Sequence, residues 1–455
     1  MAFHSAAFLF FYIPVIFLFY LVIPGPRAKN VYLTIAGLIF YACGQWQGVP
    51  VLVLSALLAW LAGRSGRKGV LALTLVCQVA MLGVFKYLDF FTGTLNDLLG
   101  LNIPAANLLL PIGVSFFTFK AMAYTIDAYR DGGTSRRFLD VLLYLSFFPQ
   151  VVSGPIERYG QFAENLENRP LNAVQMAHGL RRFIIGFAKK ALLSETVALA
   201  ANGAFGLEAG LDFRLAWLGA FAYTIQIYFD FSGYSDMAIG LGELFGFRTP
   251  ENFDYPYISA SITEFWRRWH ISLSFWFRDY LYIPLGGGRC GKLRKCLNKC
   301  AVFLLCGLWH GASWTFVLWG AWHGLFSVLE SALPQRPSTG FRRILGHVYT
   351  LLVVCIGFVL FRASDLGEAS RMLQAMFTPG ISAPSTFVLE QMAPSVWLAL
   401  AAGAAGSMPV IPWLRKRLPE RLSDGAAYLC ALGLMALCLL AAAGSGFQPF
   451  IYTQF

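Results

Sequence analysis

Cys306-Gly-Leu-Trp-His310-Gly-Ala-Ser-Trp314 places a histidine in a stretch that stays apolar, aromatic or small from Cys306 to His323, with no charge between Lys299 and Glu330. Such a run reads as membrane helix, because a spanning segment needs about 20 mostly apolar residues and the bilayer core offers no water to polar groups. An ionisable side chain is expensive there, so its presence points to function. Histidine suits proton transfer near neutral pH, and desolvation disfavours its charged form, leaving a neutral base. The plainer alternative is a neutral core histidine bonded to a backbone carbonyl.

The rest of the chain extends that pattern. Hydrophobic residues make up 57% and charged residues 13% of 455 positions, and the mean hydropathy is +0.59. Apolar stretches lie at 8–24, 31–43, 50–62, 70–88, 109–128, 138–153, 180–201, 212–230, 297–314, 315–332, 344–361, 394–413 and 427–446. Several are too short to span alone, which predicts about 10–12 crossings plus helices that enter the bilayer only in part. The first run lacks a basic leader and a small-residue cleavage site, so it reads as a retained helix. The fold class is therefore an all-α polytopic membrane protein, and the lipid bilayer is its first partner.

The net charge of +11 is a topology signal. Basic residues gather at Arg27 and Lys29, at Arg64, Arg67 and Lys68, at Arg136 and Arg137, and along 289–299, 336–343 and 415–421. The positive-inside rule assigns these to the cytoplasm and both termini and the 362–393 loop to the outside. Nucleic acid is excluded as a partner, because no soluble domain could present a basic face. The nine cysteines show no paired framework. Cys290, Cys296 and Cys300 share a basic stretch and match no zinc spacing; juxtamembrane cysteines of this kind can be palmitoylated.

No linker divides the chain, which reads as one domain over 1–455 with its functional core at about 147–332. No fixed-period repeat is visible, which counts against a transporter built from duplicated halves. The stretch from Arg248 to Arg289 is too polar to span and too aromatic for an ordinary loop. Ser261-Ile-Thr-Glu264 is a capping box, and Glu264 and Arg268 are spaced for an ion pair. The pattern predicts one helix from about 262 to Ile283, before Pro284. Its mixture of tryptophan and arginine suits the lining of a wet cavity.

Three clusters carry candidate chemistry. Tyr223, Gln226 and Asp230 form a polar stripe, in which Asp230 needs a partner; arginines of the 262–283 helix or a histidine are the candidates. His270, Ser274, Phe277 and Arg278 share a face of a continuous helix. His310 is the third, and His323, 13 residues on, falls on a different side of a continuous helix, so the two should not act as a pair. No metal is expected: His-x-x-x-His and Glu-x-x-His are absent, as is Gly-x-Ser-x-Gly for a serine hydrolase.

Asn252-Phe-Asp-Tyr-Pro-Tyr-Ile258, Glu264-Phe-Trp-Arg-Arg-Trp-His270, Phe277-Arg-Asp-Tyr-Leu-Tyr282 and Gly307-Leu-Trp-His-Gly311 resemble the membrane-bound O-acyltransferase (MBOAT) family, in its bacterial polysaccharide branch. Ser153-Gly-Pro-Ile-Glu-Arg158 and Pro449-Phe-Ile-Tyr452 fit it too. The resemblance implies a helical bundle with half-entering helices and a thin central region, where funnels from the two sides meet at the catalytic histidine. His310 matches that residue and His270 the branch's second histidine. Asp230, Tyr234, Trp266, Arg267, Ser274, Arg278, Trp309 and Trp314 are the candidate substrate-binding residues around them. Indole N–H groups of Trp309 or Trp314, Arg278, or backbone amides near Gly307 and Gly311 are candidate donors to the oxyanion.

Function follows as an expectation. The chain is expected to be an O-acetyltransferase of the bacterial inner membrane, with no permanently bound cofactor and acetyl-CoA as donor substrate. It would pass the acyl group across the membrane to a periplasmic acyl-accepting or SGNH-type partner. The final acceptor would be a polysaccharide, an alginate-like one first, with cellulose or peptidoglycan as alternatives. Five cations between Arg289 and Lys299, in a flexible loop after Pro284, would border the donor entrance. The rivals are a proton-coupled transporter or flippase with His310 and Asp230 as relay, and a scaffold of a polymer secretion complex.

Overall fold

In the computed structural model, which describes residues 2–133, 136–169, 171–332, 339–417, 419–444 and 450–451, every regular element among the described residues is a helix. Arg336 of the basic 336–343 stretch, and Pro449 and Tyr452 of the terminal motif, lie outside the described residues. Among the described residues, four helical runs are long and apolar enough to cross a bilayer: Pro26–Ser65, Lys68–Leu99, Phe341–Arg362 and Asp424–Ala443. A fifth candidate is the pair Ala383–Glu390 and Pro394–Gly406, bent by 85°. Pro394 opens its second helix at a position where the missing N–H costs nothing.

The stretches expected as separate spans at 31–43 and 50–62 form one 40-residue run. A single tight turn at Trp46–Gly48 joins them, and Pro50 falls in the first turn after it, where a proline does not break a helix.

The chain packs as two units. The first holds residues 1–183 and 235–251, the second 184–234 and 252–451. Aromatic rings fill the first: Phe8 packs on Phe40 at 5.9 Å and Tyr12 on Phe148 at 5.5 Å between centroids. A polar network is buried in the same unit. Lys120 Nζ donates to Gln150 Oε1 at 2.9 Å, and Gln150 Nε2 donates to Glu157 Oε2 at 2.9 Å.

The second unit is organised around a helical hairpin, Lys292–His310 and Trp314–Ala332. Its arms touch through glycines. A Cβ on Gly307 would stand 3.2 Å from the Gly320 Cα, and one on Gly320 would stand 3.3 Å from the Gly307 Cα. Small residues let helix backbones approach where lipid supplies no hydrophobic drive. The hairpin turn arises because Gly311 is extended, at φ −167°, and ends the first helix at His310. The cationic run that the sequence placed in a loop differs too. Gly286 and Gly287 turn the chain at positive φ, but the helix begins at Lys292, so four of the five cations ride the helix, three of them in its first turn or so.

The helix expected over 262–283 is broken. Ile262–Arg268 and Ile271–Phe277 are separate helices, followed by a wider turn at Arg278–Tyr282. Its start is as the capping box predicts. Ser261 Oγ accepts from the Glu264 amide at 3.0 Å, and Arg268 Nε donates to Glu264 Oε1 at 3.1 Å. Glu264 reaches back one residue further than expected, accepting from the Ala260 amide at 3.0 Å. Burial works against its charge, but that amide and Arg268 together hold its carboxyl below the usual carboxylate range.

Candidate functional site

The break in the 262–277 segment contains no glycine or proline. Asn252 makes it. The Asn252 carbonyl accepts from the Ile271 amide at 3.0 Å, and Arg268 O accepts from the Asp254 amide at 2.9 Å, so the backbone of 252–254 takes up groups that a continuous helix ladder would use. His270 between them takes a left-handed conformation at φ +43°, an uncommon one for a residue with a Cβ. Its ring is fully buried and its Nδ1 lies 3.1 Å from Asn252 Oδ1. That oxygen also accepts from the Ser272 amide at 3.3 Å and hydroxyl at 2.9 Å. An oxygen taken up by an amide N–H is an acceptor, so His270 Nδ1 carries the proton and Nε2 the lone pair in the neutral ring.

His310 is the last residue of its helix, 3% exposed, at the closed end of the hairpin. Its ring meets Trp309 and Trp319, each at 4.9 Å between centroids, and Phe361 at 5.1 Å, all edge to face. Trp309 lies 6.2 Å from His270 on its other side. Trp319 lies 5.0 Å from His323, one helical turn along. The structure therefore interleaves three histidines with two tryptophans, in the spatial order His270, Trp309, His310, Trp319, His323. Because Gly311 ends the first helix, the separation expected for His310 and His323 on a continuous helix does not apply: both rings contact Trp319.

From the sequence, His323 has no assigned role. It is fully buried, with neither ring nitrogen hydrogen-bonded. Gly357 leaves it room, since a Cβ there would sit 2.7 Å from its Nε2. Trp266 lies 5.2 Å from the ring. The indole N–H groups of Trp266 and Trp319 are also buried without acceptors. Unsatisfied buried polar atoms are rare enough to need an explanation, and four of them, two on His323 and one on each indole, lie in rings that Trp319 joins to His310.

Asp230, 1% exposed on the 32-residue helix Phe213–Leu244, is held differently from expectation. Its partner is neither an arginine of the 262–282 segment nor a histidine. Lys190 Nζ donates to Oδ1 at 2.7 Å, and the Ile451 amide donates to Oδ2 at 2.8 Å. Lys190 also lies 2.7 Å from Glu195 Oε1 and 4.9 Å from the Phe450 ring centroid. Tyr234 packs edge-on against Phe450 at 4.7 Å. Asp230 and Tyr234 thus gather around Phe450 and Ile451.

The remaining candidates scatter. Trp266 belongs with the histidines. Ser274 Oγ donates to the Trp266 carbonyl at 3.0 Å. Arg267 is exposed. Arg278 is also exposed, pairing with Asp279 and stacking over Phe275. The helix break removes the common face expected for His270 and Arg278. Trp309 is buried, whereas Trp314 is 49% exposed.

Comparison with known proteins agrees with the motifs. The family model described as MBOAT, membrane-bound O-acyltransferase family, matches residues 69–363. A probable alginate O-acetylase of Pseudomonas aeruginosa is 44% identical over 398 residues, covering 84% of this chain and 75% of that one. A peptidoglycan O-acetyltransferase of Helicobacter pylori is 34% identical over 417 residues, covering 82% and 79%. A teichoic acid D-alanyltransferase of Bacillus subtilis is 32% identical over 283 residues, covering 57% and 70%.

Proposed function

The chain belongs to the membrane-bound O-acyltransferase family, and from that premise we propose that it moves an acetyl group from cytoplasmic acetyl-CoA across the bacterial inner membrane for O-acetylation of a polysaccharide. The named acceptors of the relatives support a polysaccharide, with an alginate-like polymer first and peptidoglycan next; cellulose is the further alternative. A periplasmic acyltransferase of the SGNH type is the partner that receives the group.

The observation that carries this reading is the placement of His310. It is a buried imidazole at the end of a helix, walled by Trp309, Trp319 and Phe361. In the proposed step its ring accepts the proton of the attacking hydroxyl. The hydroxyl oxygen bonds to the acyl carbon, the carbon–sulfur bond breaks, and the proton passes to the departing thiolate. The imidazolium forms at the C-terminal end of a helix, whose carbonyl dipoles favour a cation. Aromatic walls exclude the water that would hydrolyse the thioester. His270 Nε2, with Nδ1 committed to Asn252, is suited to accept a hydrogen bond from the hydroxyl and orient it.

The flippase reading uses Asp230 as a proton carrier. Its commitment to Lys190 and Ile451 supports acyl transfer instead. The test is turnover of acetyl-CoA by the purified protein in nanodiscs, read as free CoA thiol. Wild type should release thiol, and His310→Ala should release it about 10²–10⁴-fold more slowly while still folded. Near-wild-type turnover in the variant would remove His310 from the role. Transport of a lipid-linked saccharide without thiol release would favour the flippase.

A further inference from the structure

Arg169 is a cation without an anion. It is 9% exposed, and among the described residues no carboxylate pairs with it. Its partners are neutral. Nε donates to the Tyr20 hydroxyl at 2.8 Å, and Nη1 donates to Asn30 Oδ1 at 2.6 Å and to the Asn165 carbonyl at 2.9 Å. The guanidinium also lies over the Phe247 ring at 4.7 Å. Nη2 is buried and has no partner at all. Guanidinium does not deprotonate in proteins, so the charge cannot be relieved by titration. A buried charge left without a counter-charge is costly, and it persists where something else brings the opposite sign.

A cavity of about 530 Å³ in the first unit has Arg169 on its wall, together with Asn165, Gln175, Arg248 and Thr249. Glu164, the acidic residue on that wall, is exposed. Arg248 is exposed as well, and Lys29 lies 4.7 Å over the ring of Tyr20, the residue that holds Arg169. The surroundings of the unpartnered Nη2 are therefore net cationic and rich in carboxamide donors. Asn30 and Lys29 adjoin Arg27, in the stretch that the positive-inside rule assigns to the cytoplasm. Oxyanions met at that face are phosphates, either headgroups of anionic lipids or phosphates of soluble ligands.

We propose that Arg169 and Arg248 form a phosphate-binding site in this cavity. Arg169 is its fixed element, clamped by Tyr20 and Asn30 so that the Nη2 donors are pre-oriented, and Arg248 its movable one. The site stands independently of the acyl-transfer reading, and its test does not use turnover.

The experiment is thermal unfolding of the purified protein in a neutral detergent, titrated with two probes. One is dioleoylphosphatidylglycerol, with dioleoylphosphatidylcholine as control. The other is adenosine 3′,5′-bisphosphate. At least one probe should raise the midpoint of wild type in a salt-sensitive way, and Arg169→Gln should abolish the rise. Arg248→Gln, a change at an exposed side chain, should weaken the apparent affinity about fivefold. A response to the lipid alone makes the site a headgroup site; a response to the nucleotide alone makes it a soluble-phosphate site. Absence of any shift in wild type overturns the proposal, as do equal shifts in wild type and Arg169→Gln. Should Arg169→Gln fail to fold, the Arg248→Gln titration decides, and unchanged affinity there overturns it.

Discussion

The backbone amide of Ile451 donates to Asp230 Oδ2 at 2.8 Å, tying the end of the chain to a carboxylate 221 positions earlier. The other carboxylate oxygen receives Lys190. Phe450, next to Ile451, covers Lys190 and touches Tyr234. Phe450 and Ile451 are thus part of the wall around a buried ion pair.

That arrangement predicts non-additive mutations. Asp230→Asn strands Lys190 with only Glu195 and should destabilise the protein by about 3–5 kcal/mol. Lys190→Met alone strands Asp230 and should cost a similar amount. The double variant removes both charges and should recover at least half of the loss. Thermal unfolding of the four proteins in one detergent gives the coupling energy, and simple additivity would show that the pair is not an energetic unit.

Asn252 should matter to turnover through His270. Asn252→Ala removes the acceptor of the His270 ring and of two Ser272 donors, and frees the ring to take either tautomer. Stability should fall by about 2–3 kcal/mol. The turnover number should fall with little change in the acetyl-CoA KM, because the residue acts on ring orientation. An unchanged turnover number in the folded variant would make His270 a structural residue only.

His323→Phe separates cost from use. The phenyl ring keeps the shape and removes two buried nitrogens that have no partners. Folding stability should hold or rise by about 1 kcal/mol. Acyl transfer should nonetheless slow, since an imidazole kept at such cost beside Trp319 is expected to serve the His310 neighbourhood. Full activity in this variant would leave His323 without a functional role.

Sidedness is testable at Cys290, two residues before the basic start of the 292–310 helix. In intact spheroplasts it should resist an impermeant thiol reagent, and it should label after lysis, with the site read by mass spectrometry. Labelling without lysis would put the donor entrance on the wrong side for the proposed direction of transfer.

Local signals in the sequence were legible where they act locally. Ser261, Glu264 and Arg268 form the predicted cap and ion pair because each interaction closes within one turn. The interruption at His270 was hidden, because the residue that causes it lies 18 positions upstream and is not a helix breaker. The Lys190 partner of Asp230 comes from another helix, 40 positions away, and only its charge within the apolar 180–201 stretch could have singled it out. His310 was readable from its isolation. His323 was not, because its nearness to His310 depends on Gly311 ending a helix that composition alone would continue.

The 292–310 helix also sets a depth. Its 19 residues rise about 28 Å at 1.5 Å each. Lys292, Arg294 and Lys295 stand at one end and His310 at the other. The helix therefore acts as a measuring rod: its length and tilt dictate how far below the basic rim the imidazole hangs. One inserted residue would displace that ring by about 1.5 Å and swing it by about 100°. The spacing between the basic cluster and the histidine is then a functional specification, though no single side chain within it carries chemistry.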